Sequence, residues 1–211
     1  MFDMRHNRSY RSLDARSNQR RELLVDSARA CFETNGIDDT SIVDITRAAG
    51  VVRELFYYYF TNKSSVRLAV ADSYAQEALG LASEWCDTNA QRDWNDQPDV
   101  LEALSLAVGY LRRFCFTQKG ERKPMFDLLE TEHPIMDFFN KVVAEIVRVN
   151  HHKPAARGIT QVFAGKEPTN KPLHVFELLV MGIIGCMDAM PYVSDEVLAG
   201  LALKMFSAQT L

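Results

Sequence analysis

The sequence predicts an all-α protein, with an N-terminal three-helix helix-turn-helix followed by a larger C-terminal helical domain. Three observations carry that prediction. Apolar residues recur at steps of three and four in segment after segment. Nowhere does a long alternating, β-branched run mark a strand. Glycine, proline and short polar stretches cut the chain into helices of ordinary length. The domains are expected at 1–16 for a flexible basic arm, 17–62 for the helix-turn-helix, and 63–211 for the C-terminal domain.

The first helix is expected from about Ser17 to Asn35, with Leu24, Ala28, Cys31 and Phe32 as its buried stripe. Gly36 ends it, because a glycine just past a helix tolerates the left-handed conformation. Thr40 or Ser41 caps a second, short helix. Ser41 with Asp44 three residues on is a capping-box variant, and Ile42, Ile45 and Ala49 face inward. Gly50 makes a tight turn into a third short helix over about Val52–Tyr59.

A fourth, long helix is expected from about Lys63 to Cys86, and Asp87–Pro98 reads as a loop. The next helix repeats Leu101, Leu104, Val108, Leu111 and Cys115. After a break at Gly120–Pro124 and a short helix near Met125–Glu130, another buries Ile135, Phe139, Val142, Ile146 and Val149. Residues 151–172 read as a long loop interrupted by a short helix near Ala155–Ala164. From Lys171 to Met190 the chain is apolar almost all round, which implies burial on two sides. Ser194 caps a last helix, with Asp195 and Glu196 at its positive end.

The chemistry concentrates in residues 37–63, IDDTSIVDITRAAGVVRELFYYYFTNK. Two short helices joined at Gly50 form a helix-turn-helix. On the second, Phe56 and Phe60 share one face and anchor it; Arg53 and Tyr57 share another and point outward. Tyr58 and Tyr59 add two more hydroxyl-bearing rings. Such a helix suits major-groove recognition: an arginine reaches base edges and phenol hydroxyls bond phosphate oxygens. A solvated Arg53 without base contact is the competing reading.

This stretch resembles the TetR family of bacterial regulators. The resemblance rests on Phe32 to Gly36, on Thr40 to Val51, and on Phe56-Tyr57-Tyr58-Tyr59-Phe60 followed by Lys63, and it covers about residues 20–68. It implies that Thr40 or Ser41, together with Tyr57, Tyr59 and Lys63, contact phosphates, and that Arg53 reads a base. It also implies a homodimer through residues of about 171–211, a double-stranded DNA operator as partner, and a small, largely apolar effector. Pocket candidates come from the aromatic- and Met-rich middle: Trp85, Tyr110, Phe114, Met125, Phe126 and Phe138.

Three positions depart from the family pattern. Val52 stands where a capping Ser or Thr is common, Glu54 where a small residue is common, and Thr46 where Ala is usual. Glu54 has three readings: it accepts from a cytosine amino group, it pairs with a neighbouring arginine, or it weakens binding.

Composition sets the remaining bounds. Net charge is −4, which argues against a uniformly basic nucleic-acid coat. The sign separates along the chain, with positive excess at the N-terminal end. The arginines from Arg5 to Arg21 read either as a soluble tail or as an arm that tracks phosphates or enters a minor groove. Cys31, Cys86, Cys115 and Cys186 are widely spaced and read as buried reduced thiols. His151-His152 make a poor chelate, and no metal or cofactor is expected. No nucleophile elbow, phosphate loop or metal-ligand pair occurs, so an enzyme is not expected. No apolar run is long enough to span a membrane and no signal peptide is apparent, so a cytoplasmic protein is expected. The rival from another class is a helical adaptor that keeps the helix-turn-helix without operator binding.

Overall fold

The computed structural model describes the backbone of residues 4–132, 135–164 and 172–207, and the side chains of residues 17–128, 141–146, 148–159, 161–162 and 180–204. Those residues form helices α1 (Met4–Asn35), α2 (Ile42–Ala48), α3 (Arg53–Tyr59), α4 (Lys63–Thr88) and α5 (Gln97–Cys115). They continue with α6 (Met125–Glu132), α7 (Ile135–Asn150), α8 (Pro154–Ala164), α9 (Pro172–Ala189) and α10 (Asp195–Ser207). Among the described residues no strand forms, and only an isolated antiparallel bridge joins Phe116 to Arg122. The all-α expectation therefore holds. Two compact units divide at Tyr74/Ala75, within α4.

In the first unit, Leu24, Val25, Ala28 and Phe32 of α1 form a buried stripe at helical spacing, with Cys31 only half-buried at its edge. The arm expected over residues 1–16 is, from Met4 on, the first part of α1. Nothing in 4–35 interrupts a helix: the segment has neither proline nor glycine. Gly36 ends α1 at φ +83°, and Gly50 turns α2 into α3 at φ +64°, a region that costs a residue with a Cβ roughly 1–2 kcal/mol. The early turns of α4 belong to this unit. Val66, Ala69, Val70 and Tyr74 are buried, and the Tyr74 hydroxyl donates to Glu33 of α1 at 2.8 Å. Arg29 of α1 lies over the Tyr74 ring at 4.0 Å and pairs with Glu33. This clasp explains why the units divide after Tyr74 rather than at Lys63.

In the second unit, α5 starts earlier than the apolar repeat suggests. Asp96 is its N-cap, accepting from the Asp99 N–H, and Pro98 sits in the first turn, where its missing N–H does no harm. α10 packs antiparallel along α5, with Leu101 facing Gly200 and Gly109 facing Asp195. A Cβ on Gly109 would stand 3.0 Å from an Asp195 carboxylate oxygen. That carboxylate accepts from Arg112 Nε at 2.7 Å, while Arg112 also donates to the Pro191 and Val193 carbonyls. One guanidinium thereby holds the α9–α10 turn onto α5.

A second cluster gathers Trp85, Cys86, Ala103 and Ala155, with Trp94, Tyr110 and Ile159 packed against it. Trp85 Nε1 donates to the Ala103 carbonyl at 2.8 Å. The Trp94 ring covers Gly158 so closely that a Cβ there would fall 2.2 Å from it. At the end of α7 the expected inward position of Val149 is corrected. Val149 is exposed and Asn150 is buried instead, its amide accepting from the Ser83 hydroxyl and donating to the Ile146 carbonyl. A buried amide with both ends bonded costs little, so polarity alone did not exclude it from the core. The stretch after α7 carries the short helix α8 over Pro154–Ala164. On α9, Ile184 and Met187 are buried while Gly182, Gly185 and Ala189 are exposed.

Candidate nucleic-acid interface

The helix-turn-helix is positioned by local bonds at α2 and by burial at α3. At α2, Ser41 is an N-cap in extended conformation, and its hydroxyl oxygen accepts the Asp44 N–H at 3.2 Å. The Asp44 carboxylate in return accepts the Ser41 N–H at 3.0 Å and the Ser41 hydroxyl at 2.6 Å. Those bonds, with the Arg47 guanidinium at 3.2 Å, hold the Asp44 carboxyl below its usual range. The expected capping box is present. Ile45 is fully buried beneath it, whereas Ile42 and Ala49 are half-buried. Thr46, in the place of the usual alanine, is buried with its hydroxyl donated to the Val43 carbonyl at 3.1 Å.

α3 has no such device. Val52 is its N-cap residue and supplies no side-chain bond. Phe56 and Phe60 anchor it instead, 0% and 4% exposed, with ring centroids 5.6 Å apart. Their burial turns Arg53, Glu54, Tyr57 and Tyr58 outward. Arg53 Nη2 donates to the Tyr57 hydroxyl at 3.1 Å, and its guanidinium lies 5.5 Å from that ring's centre. Tyr58 is the most exposed ring of the helix, at 74%. Tyr59 is half-buried, its hydroxyl 3.2 Å from that of Ser17 on α1.

Lys63, opening α4, sends Nζ to the Asp38 carbonyl at 3.1 Å. That bond ties the start of α4 to the turn after α1 and leaves two of the three ammonium protons for an anion. Thr40 requires a correction. It is 1% exposed, and its hydroxyl donates to the Gly36 carbonyl at 2.7 Å, with the Cys31 carbonyl at 3.2 Å. It stitches the end of α1 to the start of α2, and its hydroxyl cannot also meet a phosphate. Ser41 stays at the surface but is engaged in the box. Arg47, exposed on α2, is a positive group of the same motif that the sequence reading passed over; its spacing from Asp44 was the available signal.

The pocket candidates lie in the second unit. Trp85 and Tyr110 share one cluster, and Tyr110 donates its hydroxyl to Glu84 at 2.8 Å. Phe114, Met125 and Phe126 are buried. Phe138 lies outside the described side chains. Of the cysteines, Cys86 and Cys115 are buried and Cys31 and Cys186 half-buried, all as free thiols; burial pushes the Cys115 thiol up to about 12. His151 and His152 are exposed, their rings edge to face. Among the described residues no three His, Cys, Asp or Glu side chains converge on a metal position, and no helix is long and apolar enough to cross a membrane.

Two short helices around a tight turn, the second anchored by phenylalanines and presenting arginine and tyrosine, define a helix-turn-helix of the kind that binds DNA. Residues 24–70 match the family model described as bacterial regulatory proteins, tetR family. The chain is 26% identical over 94 residues to the HTH-type transcriptional repressor Rv1474c of Mycobacterium tuberculosis, covering 44% of this chain and 50% of that protein. It is 25% identical over 161 residues to the HTH-type transcriptional repressor AcnR of Corynebacterium efficiens, covering 76% and 75%. A crystal structure of a TetR-family regulator from Mesorhizobium loti superposes with a TM-score of 0.60 at 16% identity, covering 92% of this chain and 97% of that one, and shows the same fold. Residues 24–70 are thus a TetR-type helix-turn-helix, and the chain is similar in sequence to HTH-type transcriptional repressors. The match to Rv1474c spans only half of that protein's length.

Proposed function

We propose that the protein is a repressor that binds a short near-palindromic operator as a homodimer and releases it when a small, largely apolar effector binds the C-terminal domain. The observation that carries this reading is the division of labour on α3: Phe56 and Phe60 are buried, and the Arg53–Tyr57 pair they present is exposed. In the proposed complex Arg53 reads a base edge, while Tyr57, Tyr58, Tyr59, Ser41 and Lys63 lie toward the phosphates. Tyr57 holds the Arg53 guanidinium along the helix, which lowers the entropy lost when it docks.

The dimer part rests on α9 and α10. Gly182 and Gly185 have open space where a Cβ would stand, and Val197 and Leu201, four apart on α10, are both about half exposed. Small residues on α9 beside an apolar stripe on α10 suit a packed four-helix interface with a second copy. A dimer would also supply the two recognition helices that a near-palindromic site requires. Trp85, Tyr110, Phe114, Met125, Phe126 and Phe138 remain the proposed surroundings of the effector, and the cytoplasm is where a regulator of this kind meets its DNA.

Selection of bound duplexes from a random pool tests the reading directly. The expected product is a near-palindrome, bound by a species with a mass near twice 24.0 kDa in light scattering. Lys63→Ala should weaken binding to all sequences alike and reduce the salt slope by about one phosphate contact. A pool that yields no preferred sequence, at low or moderate salt, sinks the proposal and favours an adaptor role.

A further inference from the structure

The first turn of α3 carries a carboxylate that the fold neither requires nor satisfies. Glu54 is exposed, and among the described residues no hydrogen bond or ion pair holds it, although Arg53 is its chain neighbour. Arg53 instead reaches toward the C-terminal end of the helix, bonding the Tyr57 hydroxyl at 3.1 Å and lying against its ring. In the free protein the arrangement costs nothing, because a negative charge is favoured near a helix N-terminus. On a duplex the balance changes. The N-terminal residues of a recognition helix are those that meet base edges, and a carboxylate brought there loses water while facing a phosphate polyanion. It is tolerable only if it accepts a hydrogen bond in the groove.

The chemistry of the major groove narrows the donor. Only two exocyclic amino groups point into it, N4 of cytosine and N6 of adenine. Beside adenine N6 lies N7, an acceptor, which suits an amide that gives and takes but repels the second oxygen of a carboxylate. Beside cytosine N4 lies a C5–H edge, which does not. We propose that Glu54 reads the N4 amino group of one cytosine in each half-site, and so sets the operator's base preference at that position. The inference rests on α3 being the recognition helix, and it adds a second reader to Arg53. The two side chains leave the helix about 100° apart, one suited to the acceptors of guanine and the other to the donor of cytosine.

The test begins with duplexes selected by the wild-type protein, which should fix one cytosine per half-site that Glu54→Ala no longer selects. At that position cytosine is then replaced by 2-pyrimidinone, which lacks the amino group. Wild type should lose about 5- to 150-fold in affinity for the altered duplex, whereas Glu54→Ala should bind the two duplexes equally. Glu54→Gln should move the preference toward adenine, since its amide supplies the donor that N7 needs. If wild type selects a sequence and Glu54→Ala selects the same one, the proposal is overturned while the recognition reading stands. Uniformly tighter binding by Glu54→Ala with unchanged preference also overturns it, because the carboxylate is then only repulsive. If wild type selects no sequence at all, the recognition reading itself fails and this inference with it.

Discussion

Helices α2 and α3 are each seven residues long, yet the first carries its own start signal and the second does not. Isolated helices of that length are marginal in water, so each needs support from outside its ladder. For α2 the support is local: a reciprocal Ser41–Asp44 box closes the N-terminus within four residues of chain. For α3 it comes from the tertiary structure, through two phenylalanines driven into the core, with Arg21 of α1 over the Phe60 ring. The N-terminus of α3 is left without a side-chain cap, and that is the end proposed to meet bases. A cap there would occupy the first turn with the protein's own side chain. Stability has been placed on the buried face of α3, leaving its leading end for other contacts.

The comparison breaks most easily at Phe56. Removing a fully buried phenylalanine costs roughly 3–5 kcal/mol, and Phe56→Ala should show a loss of that order in urea unfolding followed by far-UV circular dichroism. Amide exchange adds the discriminating detail. Protection over 53–59 should collapse further than protection over 42–48; an equal loss in both helices would mean that α2 leans on the same anchor and is not self-supporting.

A smaller effect is expected at the box. Ser41→Ala removes the cap and should cost about 1 kcal/mol, with the loss of exchange protection centred on α2. Its pH dependence sharpens the point. The folded-state pKa of Asp44 is depressed, chiefly by the Ser41 hydroxyl and backbone bonds. Its contribution is therefore present above the unfolded value of about 3.9 and is lost as pH falls through the lower folded value. The gap between wild type and Ser41→Ala should shrink on acidification below about pH 4; a gap that stays constant down to pH 2 would show that Asp44 plays no part in the box.

The smallest change runs the other way. Val52 is 67% exposed and already has the extended geometry of an N-cap, at φ −76° and ψ 152°, close to the φ −96° and ψ 162° of Ser41. Val52→Ser should stabilise the protein by about 0.5–1 kcal/mol while altering or weakening operator binding. If binding is untouched, the open end of α3 has no part in recognition.

Much of this region was legible in the residues because its signals are local. Glycines at positive φ mark both turns, Ser41 and Asp44 mark the box, and the four-residue spacing of Phe56 and Phe60 orients α3. What escaped the reading depends on contacts distant in sequence. Thr40 looks like a surface cap until the end of α1 is seen to supply acceptors for its hydroxyl. The boundary between the units lies after Tyr74 because Glu33 and Arg29 clasp it, and no periodicity in α4 announces such a clasp. The polar start of α1 reads as an arm because it lacks an apolar stripe, yet helix formation there needs only the absence of breakers. At the end of α7 the heptad-like spacing points to Val149, whereas the hydrogen-bonding needs of Ser83 bring Asn150 inward.

The placing of the tryptophans has an optical consequence. Trp85 and Trp94 are the chain's only two indoles, and both lie in the second unit, with ring centroids 5.9 Å apart. The first unit holds none. Emission excited at the red edge of the absorption band thus comes from one locality, where the two rings are close enough to exchange excitation. A label-free signal of this kind is blind to fraying of α2 and α3, yet it responds to any change around α5 and α8. Events in the two units can be separated in a single cuvette by comparing that emission with the tyrosine signal, without attaching a dye to either.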